Sequence, residues 1–122
     1  MKIQEIETHY KWGYTVLMVA TNDEGTVLGC INLEFIKGEE YSFVYGLKVQ
    51  EEYRKQGTGS ELLRYCEEKT LESGRNAVRL DIEEDDDYAE KFYTKRGYGE
   101  LKDLAWGSKW SKYRTFNKKI GN

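Results

Sequence analysis

Arg54-Lys55-Gln56-Gly57-Thr58-Gly59-Ser60 lies between a β-forming run, Tyr41 to Gln50, and an amphipathic helical pattern that begins near Ser60. Two glycines one residue apart let the backbone take dihedrals closed to residues with a Cβ and come close to a ligand. The first turn of the following helix presents N–H groups without intrahelical partners at the same spot. A strand, a glycine turn and a helix start together form an anion site suited to phosphate. Glycines also occur in such turns for steric reasons alone, so the rest of the chain must decide between the two readings.

N-terminal to this turn the pattern is β. Lys2 to His9 alternates loosely, and Tyr14 to Thr21 is dense in β-formers and ends at the turn signal Asn22-Asp23-Glu24-Gly25. In Thr26 to Ile36, Ile31, Leu33 and Phe35 alternate with Asn32 and Glu34. Lys37-Gly38 then turns the chain into Tyr41 to Val49, with Phe43, Tyr45, Leu47 and Val49 expected on one face. Strands joined by short turns predict an antiparallel meander.

C-terminal to the turn the period changes. Leu62, Leu63, Cys66 and Thr70, with Leu71 adjacent, form a helical stripe opposite Glu61, Arg64, Glu68 and Lys69, and Ser73-Gly74 is a helix stop. Val78, Leu80 and Ile82 alternate as a strand. Asp85-Asp86-Asp87 opens a second helix, Asp87 and Glu90 have capping-box spacing, and Ala89, Phe92 and Tyr93 form its inner face before Gly97 ends it. Glu100 to Trp106 and Trp110 to Ile120 suit a closing pair of strands. The order is β-β-β-β-α-β-α-β-β. The unit from Tyr41 to Glu83 needs a right-handed crossover, so its strands run parallel while the others are antiparallel. The expected class is α+β, one domain over residues 1–122.

With 122 residues the chain suits a single core, and ten Tyr, four Phe and three Trp supply large buried area despite 34% charged residues. A net charge of −3 and a pI of about 5.3 show no basic excess of the kind a nucleic-acid binder carries. The basic tail (Lys109, Lys112, Arg114, Lys118, Lys119) reads as the solvent face of a last strand. Cys30 and Cys66 read as buried free thiols of a reducing compartment. The one histidine, His9, has no metal-spaced neighbours, so no metal is expected. No run reaches membrane-spanning length and no signal-peptide pattern opens the chain, which makes a cytoplasmic protein without membrane contact the default.

The segment Leu47 to Leu63 resembles the central motif of the GNAT family of acyl-CoA-dependent N-acetyltransferases, Arg-x-x-Gly-x-Gly/Ala between a strand and a helix. A second block, Ala89, Phe92-Tyr93 and Gly97-Tyr98, resembles the family's Ala-x-x-x-Tyr-x-x-x-Gly-Phe/Tyr ending. Two blocks in order and at the right spacing are far more specific than either alone, and the resemblance spans about Tyr14 to Lys119. It implies the acyl-CoA N-acyltransferase fold with splayed central strands, and acetyl-CoA as donor. It implies that the amides of Gln56 to Ser60 hold the pyrophosphate, with Arg54 and Lys55 beside them. The pantetheine arm would pair with Leu47, Lys48 and Val49, and Tyr93 would protonate the departing thiolate. A phenol suits that task because its pKa lies near that of a thiol. The acceptor would be a primary amine of a small molecule, peptide or protein, attacking the thioester directly while backbone donors polarise its carbonyl.

The chain departs from the family pattern in three places. Asp86 stands where relatives usually carry Asn, so it can accept but not donate a hydrogen bond to the cofactor. No acid occupies the region of Tyr45 and Gly46, which leaves Glu34 and Glu83 as candidate bases. Only His9 to Gly13 lies where two helices usually wall the acceptor site, so that side is either open or completed by a second subunit, as in a homodimer. Each sharp reading has a plain counterpart: Tyr93 as a core aromatic, Glu34 as a solvent-facing strand residue, Glu83 to Asp87 as a solvated helix start. Two function classes fit, an active N-acetyltransferase and a non-catalytic GNAT-like module that binds CoA or a protein. A tRNA-acetylating activity is a third reading, against which the acidic balance counts.

Overall fold

The computed structural model describes residues 1–102 and 112–121. Four strands, β1 (Lys2–Tyr10), β2 (Gly13–Thr21), β3 (Val27–Ile36) and β4 (Tyr41–Val49), form an antiparallel meander. After a 3-10 turn at Glu51–Tyr53 come helix α1 (Thr58–Glu72), β5 (Ala77–Glu83), helix α2 (Asp87–Thr94), β6 (Gly99–Glu100) and β7 (Tyr113–Lys119). They build one seven-stranded sheet in the order β1-β2-β3-β4-β5-β7-β6. The expected element order holds throughout, and the parallel pair is β4–β5. Trp106 and Trp110, placed by the sequence in the closing strands, lie outside the described residues.

Only Lys11 and Trp12 join β1 to β2, and the reversal is tight. A Cβ on Gly13, whose φ is +153°, would stand 1.9 Å from the carbonyl oxygen of Phe35. No helix intervenes, as the sequence indicated.

Both helices cover the same side of the sheet. Alternate residues of β2 and β3 (Val16, Met18, Ala20; Ile31, Leu33, Phe35) are buried against Leu62, Leu63 and Cys66 of α1, and Val78, Leu80, Ile82 and Phe116 continue that core across β5 and β7. Inside it, Ser42 and Thr70 satisfy each other's hydroxyls at 2.6 Å, and Thr70 also donates to the Cys66 carbonyl. α2 joins the layer through Ala89, Phe92 and Tyr93. Among the described residues no helix covers the opposite face.

Two features of β4 determine the shape of the central gap. Its pairing with β5 is confined to Tyr41–Phe43 against Ala77–Arg79, yet the strands run on to Val49 and Glu83. They therefore part, as the family resemblance implied for Leu47–Val49 and Leu80–Ile82. The second feature corrects the sequence reading. Between Cys30 and Asn32 the β3–β4 register shifts, because Gly46 and Leu47 together oppose Ile31. Gly46 takes φ +66°, the left-handed conformation that lets glycine sit in such a bulge. One extra residue reverses the alternation, so buried Ser42 and Val44 share the helix side with Leu47 and Val49, while Phe43 and Tyr45 point to the bare side. Strict period-two reading cannot register this change.

Caps and charges bring smaller corrections. α1 starts at Thr58 rather than Ser60. The cap of α2 is Asp86, whose Oδ1 accepts from the Ala89 N–H at 3.0 Å, one residue before the Asp87–Glu90 pair that the sequence suggested. The basic tail is not merely a solvated face. Arg114 points to the helix side and donates to Glu90 (2.9 Å) and Glu100 (3.2 Å), and Lys118 lies 3.2 Å from Glu67. Leu71, adjacent to the apolar stripe, is largely exposed, and Cys30 is half-buried where burial was expected.

Candidate active site

The loop between β4 and α1 is held by unusual dihedrals. Lys55 has φ +66°, the one described residue other than glycine with positive φ, and Gly57 has φ +84° as the N-cap of α1. Tyr53 and Arg54 donate their N–H groups to Gln50 and Glu51, and Glu61 donates to Gly57. Between them, the six consecutive N–H groups from Lys55 to Ser60 donate to no oxygen of the described residues. A run of aligned, unpaired donors at the positive end of a helix is the requirement for an anion site.

The two glycines serve different ends. A Cβ at Gly57 would meet nothing within 4 Å, so Gly57 answers to its backbone conformation and to the open space in front of it. Gly59 is buried, and a Cβ there would stand 3.4 Å from Phe92 Cζ and 3.7 Å from Val49 Cγ2. It lets α1, α2 and the end of β4 close on one another. Sequence alone assigns both glycines to ligand approach.

In front of this loop a cavity of about 960 Å³ occupies the gap where β4 leaves β5. Of the residues expected to hold a donor, Leu47, Lys48, Val49, Arg54, Lys55, Gly57, Thr58, Gly59, Ser60, Asp86 and Tyr93 line it, and Gln56 does not. Arg54 turns back and donates from Nε to the Val49 carbonyl at 3.2 Å, so that oxygen is already engaged. Asp86 reaches the wall while capping α2, so its acceptor-only carboxylate has a structural task.

The wall also includes residues that the sequence did not assign to a donor site, among them Cys30, Phe92 and Arg96. Arg96 donates to the Phe92 carbonyl at 2.7 Å and to Ser60 Oγ at 2.8 Å, and its guanidinium lies 3.7 Å over the Phe92 ring. Its spacing from Phe92, one helical turn, was the signal available. Arg96 and Ser60 also border a second hollow of about 510 Å³ that carries Arg64, Lys95 and Lys118.

Tyr93 sits edge-on between Phe92 and Tyr98, at centroid distances of 5.1 and 5.8 Å. Burial, with a smaller contribution from Cys66, pushes its phenol up to about 12, opposed in part by Arg96. Cys66, in the same surroundings, is likewise pushed up to about 12 by burial. Tyr93 thus keeps its proton at neutral pH.

Glu34 does not line the cavity. It lies on the bare face, paired with Thr15 and with Phe43, the last β4 residue that still pairs with β5. Burial, then Glu34, then Tyr10 raise the phenol of Tyr45 on that side. Glu83, the other candidate base, is exposed at the end of β5.

The sequence pattern of the Acetyltransferase (GNAT) family matches residues 2–98. Over 78 residues the chain is 26% identical to a protein of Xenopus tropicalis described as probable N-acetyltransferase 14, covering 64% of this chain and 38% of that protein. It thus spans well under half of that relative's length. Among solved structures it is similar to Ard1 of Thermoplasma volcanium (28% identity, TM-score 0.71, 87% of this chain and 71% of that one). It shares its fold with a GNAT-family acetyltransferase of Staphylococcus aureus Mu50 (21%, TM-score 0.73, 87% and 68%). The same holds for the PaiA N-acetyltransferase of Thermoplasma acidophilum, solved with coenzyme A (21%, TM-score 0.72, 86% and 60%). The fold is that of the acyl-CoA N-acyltransferases, and the chain belongs to the GNAT acetyltransferase family.

Proposed function

We propose that the protein is an N-acetyltransferase that moves the acetyl group of acetyl-CoA to a primary amine of a small molecule, peptide or protein by direct attack. The observation that carries this reading is the row of six unpaired N–H groups from Lys55 to Ser60 at the mouth of a cavity walled by Tyr93. The main-chain donors take the diphosphate, and the unpaired edge of β4 at Leu47 takes the amide-bearing arm. The complex of the Thermoplasma acidophilum relative with coenzyme A supports this donor.

In the transfer step the amine nitrogen bonds to the thioester carbonyl carbon, the C–S bond breaks, and the sulfur leaves with its electron pair. Tyr93 gives its phenolic proton to that sulfur. A phenol pushed up to about 12 by burial keeps its proton at neutral pH and can give it up as the sulfur leaves with its electron pair. The proton released by nitrogen goes to Glu34. The acceptor reaches the thioester from the bare face, beside the point where β4 and β5 part.

The alternative is a GNAT-fold module that binds CoA, or a protein, without turnover. The position of Glu34, outside the cavity, favours it. Calorimetry with coenzyme A followed by release of free thiol from acetyl-CoA across an amine panel separates the two. Binding with thiol release establishes the enzyme, binding without it the module, and no binding removes both CoA readings.

A further inference from the structure

The second hollow, of about 510 Å³, lies along the groove between α1 and the segment that follows α2. Ser60, Leu63, Arg64 and Glu67 stand three and four residues apart and so share one face of α1. Lys95 and Arg96, at the end of α2, and Lys118 of β7 face them. Gly97 turns the chain at φ +96°, and Lys118 lies on it, with Cε 3.2 Å from where a Cβ would stand. Four cations and one carboxylate therefore meet here in a chain whose net charge is −3. Two of the cations are already matched. Lys118 lies 3.2 Å from Glu67, which also accepts from Tyr98, and Arg64 pairs with Glu61 and Glu68, which do not line the hollow. Lys95 and Arg96 are not matched. Arg96 directs its hydrogen bonds to Ser60 Oγ and the Phe92 carbonyl, both neutral, and the exposed Lys95 ammonium pairs with none of the described residues.

We infer that this hollow takes the phosphate monoester on the donor's ribose, so that the protein distinguishes coenzyme A from the same molecule without that phosphate. The inference rests on the donor reading above and names Lys95 as the residue that reads the phosphate. Its first support is place. Ser60 is the last of the six N–H groups offered to the diphosphate, and both Ser60 and Arg96 line the cavity and the hollow alike. The diphosphate joins the amide-bearing arm to the ribose. With that arm along β4, the ribose leaves in the other direction, past Ser60. The second support is charge. A phosphate monoester carries about −1.5 to −2 at neutral pH, and Lys95 and Arg96 supply two positive charges that no carboxylate has claimed. The third is hydrogen bonding. Ser60 Oγ accepts from Arg96 and keeps its own proton to donate, so one hydroxyl links the guanidinium to a phosphate oxygen. Lys95 acts as a point charge at an exposed position, so its contribution is screened by salt.

Calorimetry with coenzyme A and with dephospho-coenzyme A tests it. The wild-type protein should bind coenzyme A about tenfold more tightly, as one charge-assisted hydrogen bond would supply, and the gap should narrow in about 0.5 M salt. Lys95→Ala should weaken coenzyme A alone and bring the two affinities within about threefold of each other, with dephospho-coenzyme A bound as before. Lys95→Glu should abolish the preference. Lys95 is exposed, so both variants are expected to keep the wild-type circular dichroism. Equal wild-type affinities for the two ligands, or a preference that both Lys95 variants retain, overturn this inference and leave the donor reading standing. No heat with either ligand overturns both.

Discussion

Arg96 Nε donates to Ser60 Oγ across 2.8 Å, which ties the segment just beyond the end of α2 to the first turn of α1. The same guanidinium lies on the Phe92 ring and bonds the Phe92 carbonyl, so one side chain braces the helix start that offers its N–H groups to the cavity. Arg96→Ala removes all of these contacts. We expect a loss of about 1–3 kcal/mol in stability and roughly tenfold weaker coenzyme A binding. Calorimetry beside urea unfolding checks this, and an unchanged affinity would show that the brace has no part in the site.

Gly57→Val and Gly59→Val separate conformation from packing. At Gly57 the φ of +84° is the obstacle, so a β-branched residue costs about 1–3 kcal/mol or moves the loop, and coenzyme A binding should fall at least tenfold in a protein that still folds. At Gly59 the obstacle is Phe92, and overpacking should lower the urea midpoint by about 1–3 kcal/mol worth of stability. Equal effects of the two substitutions on both readouts would contradict the division of labour.

Tyr93→Phe keeps the ring contacts and removes the proton. Turnover should drop by about 10²–10⁴-fold with little change in donor affinity. A variant as active as wild type takes Tyr93 out of the chemistry and returns it to the core.

Glu34→Gln keeps the shape of the bare face and removes a proton acceptor. The acidic limb of the rate–pH profile should flatten and kcat/KM should fall, while coenzyme A binds as before. An unaltered profile leaves Glu83 as the candidate to test.

Alkaline pH should destabilise the fold through its buried acids. Tyr93 and Cys66 are raised to about 12 in the folded chain against 10.0 and 9.0 when unperturbed, and Tyr98, which donates to Glu67 at 2.8 Å, is raised as well. Above pH 9 the unfolded chain gives up protons that the folded chain retains, so the contribution of these groups is constant below about pH 9 and stability declines from there toward pH 12. Thermal melts from pH 7 to 11 read this directly, and a flat melting temperature above pH 9 would refute it.

Much of this architecture was legible in the sequence. Each strand announces itself by alternation and each helix by its stripe, and the glycine turn lies where a strand hands over to a helix. What escaped depends on events between elements. A bulge at Gly46 leaves no periodic trace, so alternation alone puts Tyr45 with Leu47. The partners of Arg114 and Lys118, which turn a basic tail into partly buried ion pairs, are set by strand order rather than spacing. Asp86 reads in the sequence as a departure from a cofactor ligand, and the structure gives it a backbone N–H to cap. The cavity wall at Phe92 and Arg96 required the packing of two helices that no local pattern specifies.

The extra residue in β4 acts as a phase change along a single strand. Before it, inward side chains belong to the structural interior; after it, inward side chains look onto a void. Were Gly46 held in regular alternation with no bulge, Leu47 and Val49 would turn to the far side, and the opening between the two central strands would lose its lining.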